Sequence, residues 1–149
     1  MMAGIRGKNT KPELQVRKML HTSGLRYRLH DPNLPGRPDL VMKKYRVAVL
    51  VQGCFWHGHN DCPLFRLPKS RTEFWTKKIA RNVDRDQENL SALEKLDWRV
   101  LNVWECALKG SNRMESNILR DRMIKFITAS EVSFLDIRGT AKVVEHQTI

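Results

Sequence analysis

Within nine residues the chain holds Cys54, His57, His59 and Cys62, and its only other cysteine, Cys106, lies far downstream at the end of a second apolar segment. A zinc site closing over this set must bring two distant stretches of chain to one point. Zn²⁺ favours four-coordinate shells of sulfur and imidazole, so five candidates compete for four places. One histidine is spare, and spacing alone does not say whether it is His57 or His59. The spare one sits beside Phe55 and Trp56, next to a rigid knot, and is a candidate general base or acid. Three cysteines grouped with histidines favour metal over disulfide, which fits a reducing, cytoplasmic setting.

The hydrophobic pattern predicts an α/β domain. Thr10-Lys11-Pro12-Glu13 combines an N-cap, an early proline and a capping-box glutamate, predicting a helix from Lys11 to Thr22 that Gly24 ends. Leu25 to His30 reads as a strand, and Leu34 to Pro38 as a rigid turn. Asp39 to Met42 and Arg46 to Val51 read as strands flanking a Lys43-Lys44-Tyr45 turn, the second apolar enough to be covered on both faces. Ser70-Arg71-Thr72-Glu73 reads as a second capping box, opening a helix to Leu96 with Trp75, Ile79, Val83, Leu90 and Leu93 on one stripe. A strand follows from Trp98 to Val103. A last helix runs from Met114 to Thr128, with Ile118, Leu119, Ile124 and Ile127 inward. The expected domain is 1–130, with 1–10 as a basic arm and 131–149 as a peripheral tail. Strands separated by helices imply a mixed sheet flanked by helices. No Gly-rich phosphate loop follows a strand, which removes support for nucleotide-binding folds.

The net charge of +11 is uneven: residues 1 to 50 carry 11 Lys/Arg against 3 Asp/Glu. A basic field of this kind points to a polyanion, with nucleic acid ahead of a membrane because no amphipathic anchor or spanning segment accompanies it.

Several side chains suit phosphodiester chemistry. Asp39, just after Pro38, could hold Mg²⁺ through carboxylate oxygen or simply cap a turn. Asp86 shares the stripe of Ile79, Val83, Leu90 and Leu93, so its carboxylate must be paired, hydrated or metal-linked. Glu13 lies on the Val16 and Leu20 face of its helix, where a capping role competes with a catalytic one. Phe55 and Trp56 follow a central strand, either packing over the knot or acting as wedges between base pairs.

Taken together, Leu34-Pro35-Gly36-Arg37-Pro38-Asp39, Gly53-Cys54-Phe55-Trp56-His57-Gly58-His59, Thr72-Glu73-Phe74-Trp75, Asn82-Val83-Asp84-Arg85-Asp86 and the stretch from Trp98 through Glu105-Cys106 resemble the very short patch repair (Vsr) DNA mismatch endonucleases. The likeness runs from about Met2 to Phe126. It implies a restriction-endonuclease-like α/β fold around a structural zinc, and nicking of one DNA strand beside a thymine mispaired with guanine after 5-methylcytosine deamination. By resemblance, Cys54, His59, Cys62 and Cys106 take the zinc and His57 is catalytic. Asp39 binds Mg²⁺ with the Val51 carbonyl as a further ligand, and Glu13 and Asp86 act around the same site. Phe55, Trp56 and Met2 match intercalating side chains. Many relatives carry a histidine where this chain has Gln52, which can hydrogen-bond a phosphate or water but cannot relay a proton in the same way. The family also has more residues before the Met2 position, implying a shortened arm or one that begins further upstream. The resemblance implies a monomer acting on mismatched duplex DNA, with mismatch-repair proteins as partners. The alternatives are a double-strand restriction nuclease and a noncatalytic zinc-stabilised DNA-binding protein.

Overall fold

The computed structural model describes residues 9–140, so Met2 and most of the N-terminal arm lie outside the described residues. Helix α1 (Lys11–Thr22) starts where Thr10 Oγ1 accepts the Glu13 N–H, with Pro12 in its first turn. Three short antiparallel steps follow: β1 (Arg28–Leu29), β2 (Leu40–Met42) and β3 (Val47–Gln52). Helix α2 (Thr72–Lys95) then crosses over to β4 (Arg99–Trp104), which pairs in parallel with β3. Helix α3 (Ser116–Ala129) makes a second crossover to β5 (Phe134–Ile137), parallel to β4. The sheet order is β1-β2-β3-β4-β5, a mixed sheet with two parallel pairings, as the alternation of strand and helix patterns predicts.

Both faces of the sheet are covered. Leu40, Met42, Val47, Val49, Leu101 and Val103 point to one side, where Val16 and Leu20 of α1 and Leu119, Met123, Phe126 and Ile127 of α3 complete a core. Val41, Ala48 and Val100 point to the other, where Leu93 of α2 and Trp98 cover them. The period-2 alternation of β3 and β4 therefore feeds two cores at once, which is why both strands read as unbroken apolar runs.

Four local expectations are corrected. The predicted strand over Leu25 to His30 shrinks to two residues, because His30 turns into the left-handed region (φ 48°) and leaves the ladder. Ser70 does not cap α2; Arg71 occupies that position in a left-handed conformation without a side-chain cap. Ile118 is exposed, because the inward stripe of α3 is Leu119, Met123, Phe126 and Ile127, spaced four, three and one apart. The stretch placed in a peripheral tail contributes β5, whose Ile137 is fully buried. No helix among the described residues is long and apolar enough to cross a membrane.

One cation ties the layers together. The Arg99 guanidinium at the start of β4 donates to the Phe126 and Ile127 carbonyls at 2.8 Å each and to the Tyr45 carbonyl at 3.3 Å, while lying over the Phe126 ring. It neutralises the carbonyl end of α3. Arg99→Met should lower unfolding free energy by about 2 kcal/mol, the range for charge-assisted bonds to otherwise orphaned carbonyls; urea titration checks this, and an unchanged midpoint would show that the helix end satisfies itself.

Candidate active site and metal centre

The parallel register of β3 and β4 pairs Gln52 with Trp104. Two residues past each stand Cys54 and Cys106, so both thiols leave the sheet side by side. The loop after β3 folds back through His57 N–H to Gly53 O and His59 N–H to Cys54 O, bringing His59 and Cys62 to the same point. The ligand atoms of Cys54, His59, Cys62 and Cys106 lie within 4.8 Å of one another. Cys54 Sγ is 3.5 Å and Cys106 Sγ 3.6 Å from His59 Nδ1. A tetrahedral ion with bonds of about 2.3 Å to sulfur and about 2.05 Å to nitrogen sets those atoms roughly 3.6 Å apart, so this donor set fits zinc. The arrangement selects His59 rather than His57 for the knot.

Crowding sets the two buried thiols apart. Cys106 is lowered to about 5, chiefly by its hydrogen bond with Cys54 and also by the Gly139 N–H, while the same pairing and burial push Cys54 upward. Burial lowers His59, keeping its imidazole neutral as a ligand requires. The His59 ring stacks on Trp104, with centroids 3.7 Å apart and planes 4° from parallel. The chain after β5 seals the knot: Gly139 N–H reaches Cys106 Sγ at 3.2 Å, and Arg138 donates to the carbonyls of Asn60 and Asp61.

A second cluster forms where α1 meets the ends of β1, β2 and β3. Glu13, only 1% exposed, accepts from Asn9 N–H at 3.1 Å and contacts Arg17 and His30, the latter at 2.7 Å. Glu13 thus does not complete the capping box by returning to Thr10; its carboxylate faces the sheet. Asp39 Oδ2 accepts the Val51 N–H at 2.7 Å, and Asp39 Oδ1 lies 4.0 Å from His30 Nε2. Glu13, His30 and Asp39 each offer a ligand atom within the span of one ion. The Asp39 carboxyl is pushed up to about 7, chiefly by burial and further by the Glu13 carboxylate, against the Val51 N–H and Arg17, which favour its charged form. Two carboxylates held this close out of water fit a divalent cation, which would relieve both the burial and the repulsion.

His57 lies on the opposite side of β3. Its Nδ1 sits 2.6 Å from Asp86 Oδ2 on α2, so the inward Asp86 is paired, as its stripe requires. Both line a cleft of about 260 Å³ with Gln52, Trp104 and Asp136. Gly58, at φ 57°, lets the loop pass α2, where an added Cβ would fall 2.7 Å from Ile79 Cγ2. Val51 and Gln52 are therefore neighbours with different duties: one holds Asp39, the other lines the cleft with His57.

Phe55 and Trp56 pack edge-on at 5.2 Å and both meet Trp75 of α2, with Phe65 beside Phe55 and the exposed Phe74 beside Trp75. Asn82 fixes the Trp56 carbonyl at 2.9 Å. This aromatic group flanks the knot and is half-buried.

Sequence reading missed His30, Arg17, Glu105 and the pair Asp136 and Arg138. Glu105 Oε1 takes the Cys54 N–H at 3.1 Å, and Asp136 takes Asn102 and Trp104 N–H groups at 2.8 Å each. The Glu13 to Arg17 spacing of four was a readable signal; the others depend on strand pairing.

Comparison with known proteins now bears on these clusters. The family model described as "DNA mismatch endonuclease Vsr" matches residues 1–64. The chain is 43% identical to the Escherichia coli protein "DNA mismatch endonuclease Vsr" over 93% of its length and 88% of that protein. It is 46% identical to "Type II nicking enzyme V.XorIIP" of Xanthomonas oryzae over 79% of the chain and 86% of the relative. It is 43% identical to "Type II nicking enzyme V.NmeAIP" of Neisseria meningitidis over 85% and 86%.

Two outcomes follow from the geometry. A Cβ at position 139 would collide with the Cys106 and Asn112 carbonyls, so Gly139→Ala should cost about 1–3 kcal/mol and speed metal release to a chelator; an unchanged midpoint with unchanged release would contradict the seal. Asp39 retains its proton in the folded chain at pH values where the unfolded chain, at its ordinary 3.8, has lost it. Its contribution to stability is therefore full below pH 3.8 and is lost as pH rises toward 7, by an amount on the order of a few kcal/mol. Without added Mg²⁺, the urea midpoint should fall from pH 4.5 to 8 relative to that of Asp39→Asn; a constant difference would contradict the burial account.

Proposed function

Because the chain belongs to the Vsr family of DNA mismatch endonucleases, we propose that it nicks one strand of duplex DNA beside the thymine of a T:G mispair, using Mg²⁺ at Asp39 and a structural zinc in the Cys54, His59, Cys62 and Cys106 knot. The mixed sheet and flanking helices match the restriction-endonuclease-like fold of that family. The observation that carries the mechanistic reading is that adjacent residues at the end of β3 serve both clusters: the Val51 N–H holds Asp39, and Gln52 lines the cleft of the His57–Asp86 pair.

The residues divide the work. The Asp86 carboxylate accepts a hydrogen bond from His57 Nδ1–H, the tautomer that leaves Nε2 with a free lone pair. From there His57 orients the attacking water and takes its proton, the logic of any histidine steered by a carboxylate. Asp39 and Glu13, with the Val51 carbonyl nearby in the chain, would hold the cation. When bound, Mg²⁺ supplies charge stabilisation at the phosphate and at the leaving oxygen. Gln52 offers an amide N–H to a phosphate oxygen in place of the imidazole many relatives carry. The basic first third of the chain steers the duplex in, while Phe55 and Trp56 serve as wedges at the mispair.

Relatives named type II nicking enzymes favour single-strand scission over the double-strand restriction reading. The paired His57 and Asp86 argue against a pure binding protein, which has no use for an oriented imidazole.

His57→Ala should slow single-turnover nicking of a T:G duplex by about 10²–10⁴-fold, the usual share of a general base, with DNA affinity within a few-fold of the parent. Asp86→Asn should show a smaller loss in the same direction. Nicking at the parent rate in His57→Ala would remove His57 from the chemistry.

A further inference from the structure

The imidazole of His30 stands against the carboxylate pair and the mechanism above leaves it idle. Its Nε2 is 2.7 Å from Glu13 Oε2 and 4.0 Å from Asp39 Oδ1. We propose that His30 is a third side-chain ligand of the divalent cation at Glu13 and Asp39, so that this site takes Mn²⁺ more tightly than Mg²⁺. The inference rests on the metal-dependent reading of the same cluster.

Three observations carry it. Ligand atoms of one octahedral ion at about 2.1 Å stand roughly 3 Å apart when adjacent and roughly 4 Å apart when opposite, and the two separations from Nε2 fall close to those values. Glu13 already receives the Asn9 N–H and the Arg17 guanidinium, so its charge does not require another donor, and the ligand atoms of Glu13, His30 and Asp39 all lie within 4.8 Å of one another. Backbone hydrogen bonding also ties His30 to Asp39. His30 is a non-glycine residue at φ 48°, held there as its N–H reaches the Asp39 carbonyl at 3.2 Å, and such conformations persist where the surroundings enforce them. An imidazole among carboxylates moves the preference from Mg²⁺ toward later divalent ions.

The test uses the full-length protein with its Cys3His site filled with zinc, titrated with Mn²⁺ alone and studied by pulsed electron paramagnetic resonance. The parent should bind Mn²⁺ with the ¹⁴N modulation of a directly bound imidazole. In His30→Gln that modulation should vanish, with Mn²⁺ affinity reduced on the order of tenfold and Mg²⁺ affinity changed less. Failure of the parent to bind Mn²⁺, bound Mn²⁺ without ¹⁴N modulation, or modulation that survives in His30→Gln would each overturn the assignment. The parent spectrum decides even if the variant misfolds. A parent with ¹⁴N-coupled Mn²⁺ that nicks no DNA would sink the functional reading and leave His30 standing as a ligand.

Discussion

The parallel pairing of β3 with β4 is the constraint on which everything else hangs. In-register strands release Cys54 and Cys106 together, and the Cys3His knot that they close makes a platform at the C-terminal ends of two central strands. Parallel strands need a long crossover, here α2, and that crossover carries Asp86 back over the platform to meet His57. A metal bound between the two strand ends would also contribute to folding free energy, since no such site exists in the unfolded chain. Phe55 and Trp56 lie against α2 through Trp75, and Gln52 shares the cleft that Asp86 of the same helix lines.

Stability and function pull in opposite directions at the other half of the site. Glu13 is buried on the face of α1 that also supplies Val16 and Leu20, and Asp39 is held beside it by a strand N–H. Burying two carboxylates together costs free energy that an apolar pair would not. Arg17 offsets part of it and leaves Asp39 holding a proton near neutrality. A site in this state is poised for a cation, and the surrounding cores on both faces of the sheet supply the margin that lets the fold carry it.

Much of this was legible in the chain. Thr10 and Pro12 placed the start of α1, and the uninterrupted run from Val47 to Val51 identified the central strand, because local signals govern helix entry and double burial. Spacing made the knot legible as a set of five candidates, and the family resemblance rather than the spacing chose His59 over His57, because that choice depends on how the loop after Cys54 folds back. β5 escaped notice because four residues including Asp136 show no period; its identity comes from pairing with β4, a contact far away in sequence. Ile118 misled because inward phase on α3 is set by packing against α1 and the sheet rather than by hydrophobicity alone. His30 was silent for a related reason: a lone histidine before a turn acquires meaning only when α1 and β2 close around it.

The chain belongs to the Vsr family of DNA mismatch endonucleases, and the clusters and the charge support the proposed nicking beside a mispair. The most direct test is a strand-labelled single-turnover assay on otherwise identical duplexes carrying T:G, T:A or C:G at one position, with and without Mg²⁺. The account predicts a Mg²⁺-dependent nick in the strand carrying the mispaired thymine, and neither matched duplex cut. Equal cutting of the matched duplexes, or scission of both strands, would contradict it.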